Sequence, residues 1–351
     1  MKTVIEKISN DQKILNQNKI AAAGKIIQEG GLVAFPTETV YGLGADALNP
    51  EASRKIYEAK GRPSDNPLIV HISRMEDLTA IVSHVPRQAV KLAQRFWPGP
   101  LTMIFKKAKQ VPLQTTGGLD TVAVRMPDHP VALALIQAGG GYIAAPSANV
   151  SGRPSPTLAE HVAQDMEGRI PMILDGGAVG IGIESTIVDV SGDIPMILRP
   201  GFITLEMMWE VIGEVRLDPG LAEDDPSVRP KAPGMKYKHY APKAELILIH
   251  GAQEKVQQKI NDLTQEAEGS GKTAGVIGTD ESCGCYCHGI VKSIGARSDE
   301  ATVARHLYAI LREFDQQEVD IIYSESFSSS GIGQAIMNRM LKAAGHQIIE
   351  A

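Results

Sequence analysis

Thr37, Glu38, Thr39 and Tyr41 stand in the run Pro36-Thr37-Glu38-Thr39-Val40-Tyr41-Gly42-Leu43-Gly44, which sets three hydroxyls and a carboxylate beside two glycines. Side chains of these types hold a small polar ligand by hydrogen bonds. Gly42 and Gly44 would allow positive φ or a close approach of backbone N–H groups to such a ligand. A second polar group, Ser147, Asn149 and Ser151, follows Ala145-Pro146. The third group is cationic: Lys60, Arg62, Arg125 and Arg199 fall at or just beyond the ends of expected helices and strands, as a polyanion site would need. Arg125 closes the apolar run Val122–Met126, where a charge wants a partner. It is expected to face an anion or a carboxylate, with a core ion pair as the competing reading. His71 lies within or at the end of the apolar run Leu68–Ile72.

The elements that must position these groups are marked by punctuation. Leu32–Phe35 reads as a short strand that Pro36 ends, so the run after it is expected to be a loop. Pro50–Lys60 reads as a helix closed by Gly61 at C′ and Pro63 beyond, delivering Lys60 and then Arg62 into the loop up to Asn66-Pro67. Further helices are expected over Lys19–Gln28, 76–95 and Pro130–Gln137, and further strands over Leu101–Phe105, Val122–Met126 and the runs containing Ile143, Ile173, Ile187 and Ile197. Two strands end in Pro followed by Thr or Ser, as if both opened onto one crevice. From Ala244 onward, strands at Leu246–Ile249, Ala274–Ile277 and Val319–Tyr323 alternate with helices at Glu254–Glu268, Glu300–Phe314 and Gly333–Ala344, the pattern of a small parallel sheet. The expected domains are 1–217, a proline-rich linker over 218–243, and 244–351. Within the linker, residues 233–242 carry Lys236, Tyr237, Lys238, His239 and Tyr240, a composition that suits a lid.

Composition narrows the classes. The 351 residues are 43% hydrophobic and 22% charged, with a net charge of −6. The charge divides evenly at residue 233, −3 on either side, so there is no basic domain of the kind that binds nucleic acid through many phosphates. No apolar run approaches the ~18 residues of a membrane span, and the first residues lack a leader's apolar core, so a cytoplasmic address is expected. Cys283, Cys285 and Cys287 form one tight run beside His288, too close-set for the usual two-cluster zinc pattern, and are expected to be reduced thiols rather than metal ligands. Gly269-Ser270-Gly271-Lys272-Thr273 resembles the end of a P-loop but leads into a strand. Gly331-Ile332-Gly333 opens a helix but lacks the third glycine, since Ile336 stands there.

The motifs Pro36–Gly44, Lys60-Gly61-Arg62-Pro63, Asn66–His71, Trp97-Pro98-Gly99-Pro100, Ala145–Asn149 and Leu198–Gly201 occur in an order that resembles the YrdC family. Pro233–Pro242 and the C-terminal α/β part resemble that family's long, two-domain form. The resemblance implies an α/β fold: a twisted mixed sheet with flanking helices, followed by a smaller Rossmann-like domain. It also implies a nucleotidyl transfer in which L-threonine, bicarbonate and ATP, with Mg²⁺, give threonylcarbamoyl-adenylate and pyrophosphate. The product would pass to proteins that transfer the threonylcarbamoyl group to tRNA. By matching motif positions, Thr37, His71, Arg125 and Ser185 would contact threonine. Lys60, Ser64, Thr121, Ser147, Asn149, Arg199 and Tyr237 would contact ATP, and Lys60 and Arg62 would be the catalytic cations. Such a displacement at phosphorus needs positioning and charge stabilisation more than a protein nucleophile.

Two other readings exist at this level. One is a non-catalytic RNA-binding maturation factor, with at most a weak RNA contact given the acidic charge. The other is a different carbamoyl-adenylate enzyme, although the zinc-finger and acylphosphatase-like segments that accompany such modules are missing from this sequence.

Overall fold

A computed structural model describes residues 1–9, 13–221 and 239–351. In the N-terminal part the strands are Val4–Lys7 (β1), Val33–Phe35 (β2), Gly42–Asp46 (β3), Ile69–His71 (β4), Leu101–Lys106 (β5), Thr121–Arg125 (β6), Ile143–Ala144 (β7), Met172–Asp175 (β8), Thr186–Asp189 (β9), Met196–Arg199 (β10) and Arg216–Leu217 (β11). Among the described residues they form one 11-stranded sheet in the order β1-β8-β2-β3-β7-β4-β6-β5-β9-β10-β11, with parallel and antiparallel pairs mixed. Side chains alternate across such a sheet. In β2, Ala34 joins the larger core with Tyr41, Leu43, Ile56 and Val124, while Val33 and Phe35 join a second core with Ile27, Leu135 and Leu174. Both faces are therefore covered, and polar groups have to gather at the strand ends.

The expected loop after Pro36 is only half a loop. Thr37–Val40 turn, and Gly42–Asp46 then pair antiparallel with β2, Phe35 opposite Gly42 and Val33 opposite Gly44. The two glycines have neither of the expected roles. Neither takes positive φ, and what approaches them is the Phe35 ring: a Cβ on Gly44 would sit 2.9 Å from Phe35 Cε1 and 2.9 Å from Ile143 Cγ2. A side chain here would push the aromatic ring out of the second core.

The helix expected over 76–95 is two pieces, Leu78–Ile81 and Arg87–Phe96. Pro86 divides them, because a residue before proline is driven out of the helical region. The helix Pro50–Lys60 is as expected, with Gly61 at φ 60° donating to Glu58 and Arg62 N–H to Tyr57. Its N-cap is Asn49, whose Oδ1 accepts from Glu51 and Ala52, so the threonines of the preceding turn are left for other work.

The chain divides into two compact units, and the second comprises Gly152–Pro154, Ile181–Ile183 and the C-terminal part. Its strands are Glu245–His250 (β12), Ala274–Gly278 (β13), Ile290–Ser293 (β14), Ile321–Glu325 (β15) and Ile348–Glu350 (β16). They pair in parallel throughout, in the order β14-β13-β15-β12-β16, which is the Rossmann-like sheet expected. β14 and β16 are short outer strands that the apolar pattern did not reveal. The phosphate-loop lookalikes have structural uses. Lys272 N–H bonds back to Ala267 O beyond a helix end, and Gly333 N–H donates to the Glu300 carboxylate at 2.8 Å. The three cysteines are free thiols, and among the described residues no cluster of three His, Cys, Asp or Glu could hold a metal ion.

Candidate functional site

Five adjacent strands of the large sheet place one residue each in a single transverse row. His71 on β4 pairs with Arg125 on β6, Arg125 with Thr102 on β5, Thr102 with Ile187 on β9, and Ile187 with Arg199 on β10. Cross-strand partners stand about 4.8 Å apart, so the row runs roughly 19 Å along one edge of the sheet. Its charged and titratable members, His71, Arg125 and Arg199, are the last residues of their strands, where the apolar core stops.

Hydrogen bonds join the row to the flanking loops. Thr37 Oγ1 is 2.9 Å from Thr39 Oγ1 and donates to Val40 O at 2.7 Å, while the N–H groups of Thr39 and Val40 point back at it. Arg125 Nη1 donates to Thr39 Oγ1 at 2.9 Å and Nε to Gly99 O at 3.3 Å, and Nη2 lies 2.7 Å from Glu38 Oε1. Thr102 Oγ1 meets Ser185 Oγ at 2.8 Å, and Arg199 Nη2 reaches Ser185 O at 2.9 Å and Ser185 Oγ at 3.3 Å. Thr37, His71, Arg125 and Ser185, the expected threonine-side residues, are thus gathered at this edge with Arg199 beside them. The ion-pair reading of Arg125 is also met, because its carboxylate neighbour is Glu38.

Of the expected nucleotide-side residues, Lys60, Ser147 and Asn149 come together. Lys60 Nζ, on the last turn of its helix, donates to Ser147 O at 2.5 Å and Asn149 O at 2.6 Å. Arg62 Nη2 donates to Pro67 O at 3.2 Å and, more weakly, to Asn66 O at 3.4 Å. All four cations of the polyanion reading are therefore buried and tied to backbone carbonyls, an architectural duty that the sequence did not display. Thr121 is not in the row: it opens β6, about 13 Å along an extended strand from Arg125. Ser64 is exposed in the loop after Gly61. Tyr237 and most of the expected lid lie outside the described residues. At its far end Tyr240 is buried against Tyr308, with ring centroids 5.2 Å apart.

Several participants went unassigned at the sequence level. Glu38 and Thr39 stand in the first motif without a role, although two hydroxyls flanking a carboxylate were a visible signal. Thr102 lies inside a strand and gave none. Tyr41 donates to Gly177 O at 2.6 Å, and burial together with the Asp175 carboxylate raises its pKa well above the usual range, so it remains a phenol.

His71 is buried, with Nδ1 3.1 Å from Ile69 O and the Phe35 ring edge-on at 6.2 Å. Burial, and then the Arg125 charge, lower its pKa from 6.5 to about 3, so it is neutral at physiological pH. A folded pKa below the unfolded one means that the unfolded chain binds the extra proton. Stability present above pH 6.5 is then lost as pH falls towards 3, at up to ~1.4 kcal/mol per pH unit from this group. Urea unfolding of wild type and His71→Gln between pH 6.5 and 4.5 should show a flatter pH dependence in the variant. Equal slopes would mean that His71 is not the group responsible.

Comparison with known proteins extends over both units. A family model for Sua5, YciO and YrdC proteins, described as telomere recombination, matches residues 25–201, and the model of the threonylcarbamoyl-AMP synthase C-terminal domain matches residues 203–345. The threonylcarbamoyl-AMP synthase of Bacillus subtilis is 52% identical over 97% of this chain and 96% of its own. That of Pyrococcus abyssi is 49% identical over 98% and 99%. The solved structure of P. abyssi Sua5 complexed with L-threonine superposes with a TM-score of 0.92 at 47% identity, covering 99% of this chain and 100% of that one.

Proposed function

The chain belongs to the threonylcarbamoyl-AMP synthase family in its long, two-domain form, and from that premise we propose how its site divides the work. Its activity is that of the family, an ATP-using nucleotidyl transfer that yields threonylcarbamoyl-AMP for tRNA modification. The observation that carries this reading is the similarity to named synthases along almost the whole of both chains. It favours catalysis over the RNA-binding maturation factor.

In the proposed site, Arg125 binds the threonine carboxylate by a charge-assisted hydrogen bond from Nη2, with His71, Thr37 and Ser185 as neutral partners for other polar atoms of the substrate. Lys60, Arg62 and Arg199, with Ser64, Thr121, Ser147, Asn149 and Tyr237, serve ATP, and Lys60 and Arg62 are the proposed catalytic cations that offset charge developing on the phosphates. Bicarbonate is the proposed source of the carbamoyl carbon. Mg²⁺ would enter with ATP, since it binds oxygen ligands and keeps most of its shell from water and phosphate. Residues 1–217 are the proposed catalytic domain and 244–351 the smaller one, joined by 218–243.

Transfer proteins acting on tRNA are the proposed recipients, with any direct RNA contact weak. Among the described residues no helix is long and apolar enough to cross a membrane, and we place the protein in the cytoplasm. The test is ATP–pyrophosphate exchange in the presence and absence of threonine and bicarbonate. Exchange should require both co-substrates, and exchange with ATP alone, unchanged by either, would refute the assignment.

A further inference from the structure

Where Glu38 meets Arg125, three buried polar atoms lack a directed hydrogen bond: Glu38 Oε1, Glu38 Oε2 and Arg125 Nη2. Oε1 lies 2.7 Å from Nη2 but off its N–H direction, so the charges touch without forming the hydrogen bond that this distance would permit. The other guanidinium nitrogens are occupied, Nε by Gly99 O and Nη1 by Thr39 Oγ1. Only 13% of the Glu38 side chain and 5% of that of Arg125 are exposed, so bulk water has little access to the three atoms. Buried polar groups are nearly always satisfied, and a carboxylate serving only as counter-ion to an arginine favours the aligned, two-bond geometry.

Two acceptors and one donor left over at a single point, on groups of opposite charge, are the complement of a zwitterion. An α-amino acid carries a carboxylate and an ammonium on one carbon. We infer that Glu38 receives the α-ammonium of the amino-acid substrate while Arg125 takes its carboxylate, a proposal that rests on the amino-acid reading of this site. Binding then adds one charge of each sign to a pair already neutral, and the four charges alternate. The same carboxylate is placed to take a proton: R–NH₃⁺ and Glu38–COO⁻ become R–NH₂ and Glu38–COOH. The freed nitrogen lone pair attacks the bicarbonate carbon, an N–C bond forms, a C–O bond breaks, and R–NH–COO⁻ and water result, with the second amine proton leaving in that water. Glu38 afterwards returns its proton to solvent. The site would therefore select amino acids with a free α-amine and reject hydroxy acids and N-acylated ones.

The test is calorimetric titration with L-threonine and with 2,3-dihydroxybutanoate, which has a hydroxyl in place of the ammonium. Wild type should bind the hydroxy acid about tenfold or more weakly than threonine, the scale of a lost charge-assisted hydrogen bond. Glu38→Gln should weaken threonine about tenfold and leave the hydroxy acid within about twofold, closing the gap. Equal affinity of wild type for the two ligands overturns the proposal whether or not the variant folds. Equal weakening of both ligands in Glu38→Gln also overturns it, because that is what loss of a mere counter-ion to Arg125 would produce. Binding of neither ligand to wild type, with ATP present or absent, refutes the amino-acid reading itself, an outcome distinct from the other two.

Discussion

Replacing Arg125 by lysine is expected to raise the threonine concentration for half-maximal turnover about ten- to hundredfold while the ATP requirement changes little. The guanidinium makes three contacts in three directions, with Gly99 O, Thr39 Oγ1 and the Glu38 carboxylate, and Arg125 as a residue is 4% exposed. An ammonium keeps the charge but is a single point on a flexible stem, so it cannot hold the Thr39 turn and the substrate carboxylate together. Loss of charge-assisted hydrogen bonds on the order of 1.5–3 kcal/mol corresponds to that range of affinity. Steady-state kinetics with each substrate varied in turn would show it. A parallel rise in both requirements would mean that Arg125 organises the whole crevice rather than holding the amino acid.

Several residues that gather at the sheet edge were legible in the sequence, but not their contacts. Strand ends were legible because Pro36, Pro127, Pro146 and Pro200 interrupt apolar runs, and a cation at an apolar strand's end is conspicuous. What the residues touch was not legible. Register is a property of pairing, and only pairing aligns His71, Arg125 and Arg199 across strands separated by up to 128 residues of chain. Gly42 and Gly44 illustrate the same limit, since a glycine needed for a ligand and one needed for a neighbouring aromatic ring look alike until Phe35 is placed. Thr102 was invisible because an isolated threonine in a strand is ordinary β chemistry. The C-terminal alternation of strands and helices was plain because parallel strands, covered on both faces, are nearly continuous apolar runs. The outer strands β14 and β16, only partly buried, carry no such signal.

Lys60 makes the sharpest case of a residue with an architectural duty beside its proposed one, and its removal is expected to cost stability as well as nucleotide binding. Lys60 is 2% exposed and its ammonium donates to the carbonyls of Ser147 and Asn149, so it ties the end of the helix Pro50–Lys60 to the loop that follows β7. A substitution that removes the amine strands two acceptors where water enters poorly, at about 1–3 kcal/mol each if nothing relaxes, or roughly 2–4 kcal/mol in all after partial relaxation. Lys60→Met is the informative variant because it keeps the length of the stem and discards the donor. Both tryptophans, Trp97 and Trp209, lie in the N-terminal unit, so their fluorescence in urea follows the unit that contains Lys60. The tryptophan transition should move to lower urea by the equivalent of about 2–4 kcal/mol with little change in slope. In urea-free conditions, where the variant is still folded, ATP affinity should also fall, because the loop carrying Ser147 and Asn149 loses its tether. A variant with unaltered urea stability and weakened ATP binding would make Lys60 a phosphate ligand alone. One that loses stability but keeps full ATP affinity would make it purely architectural.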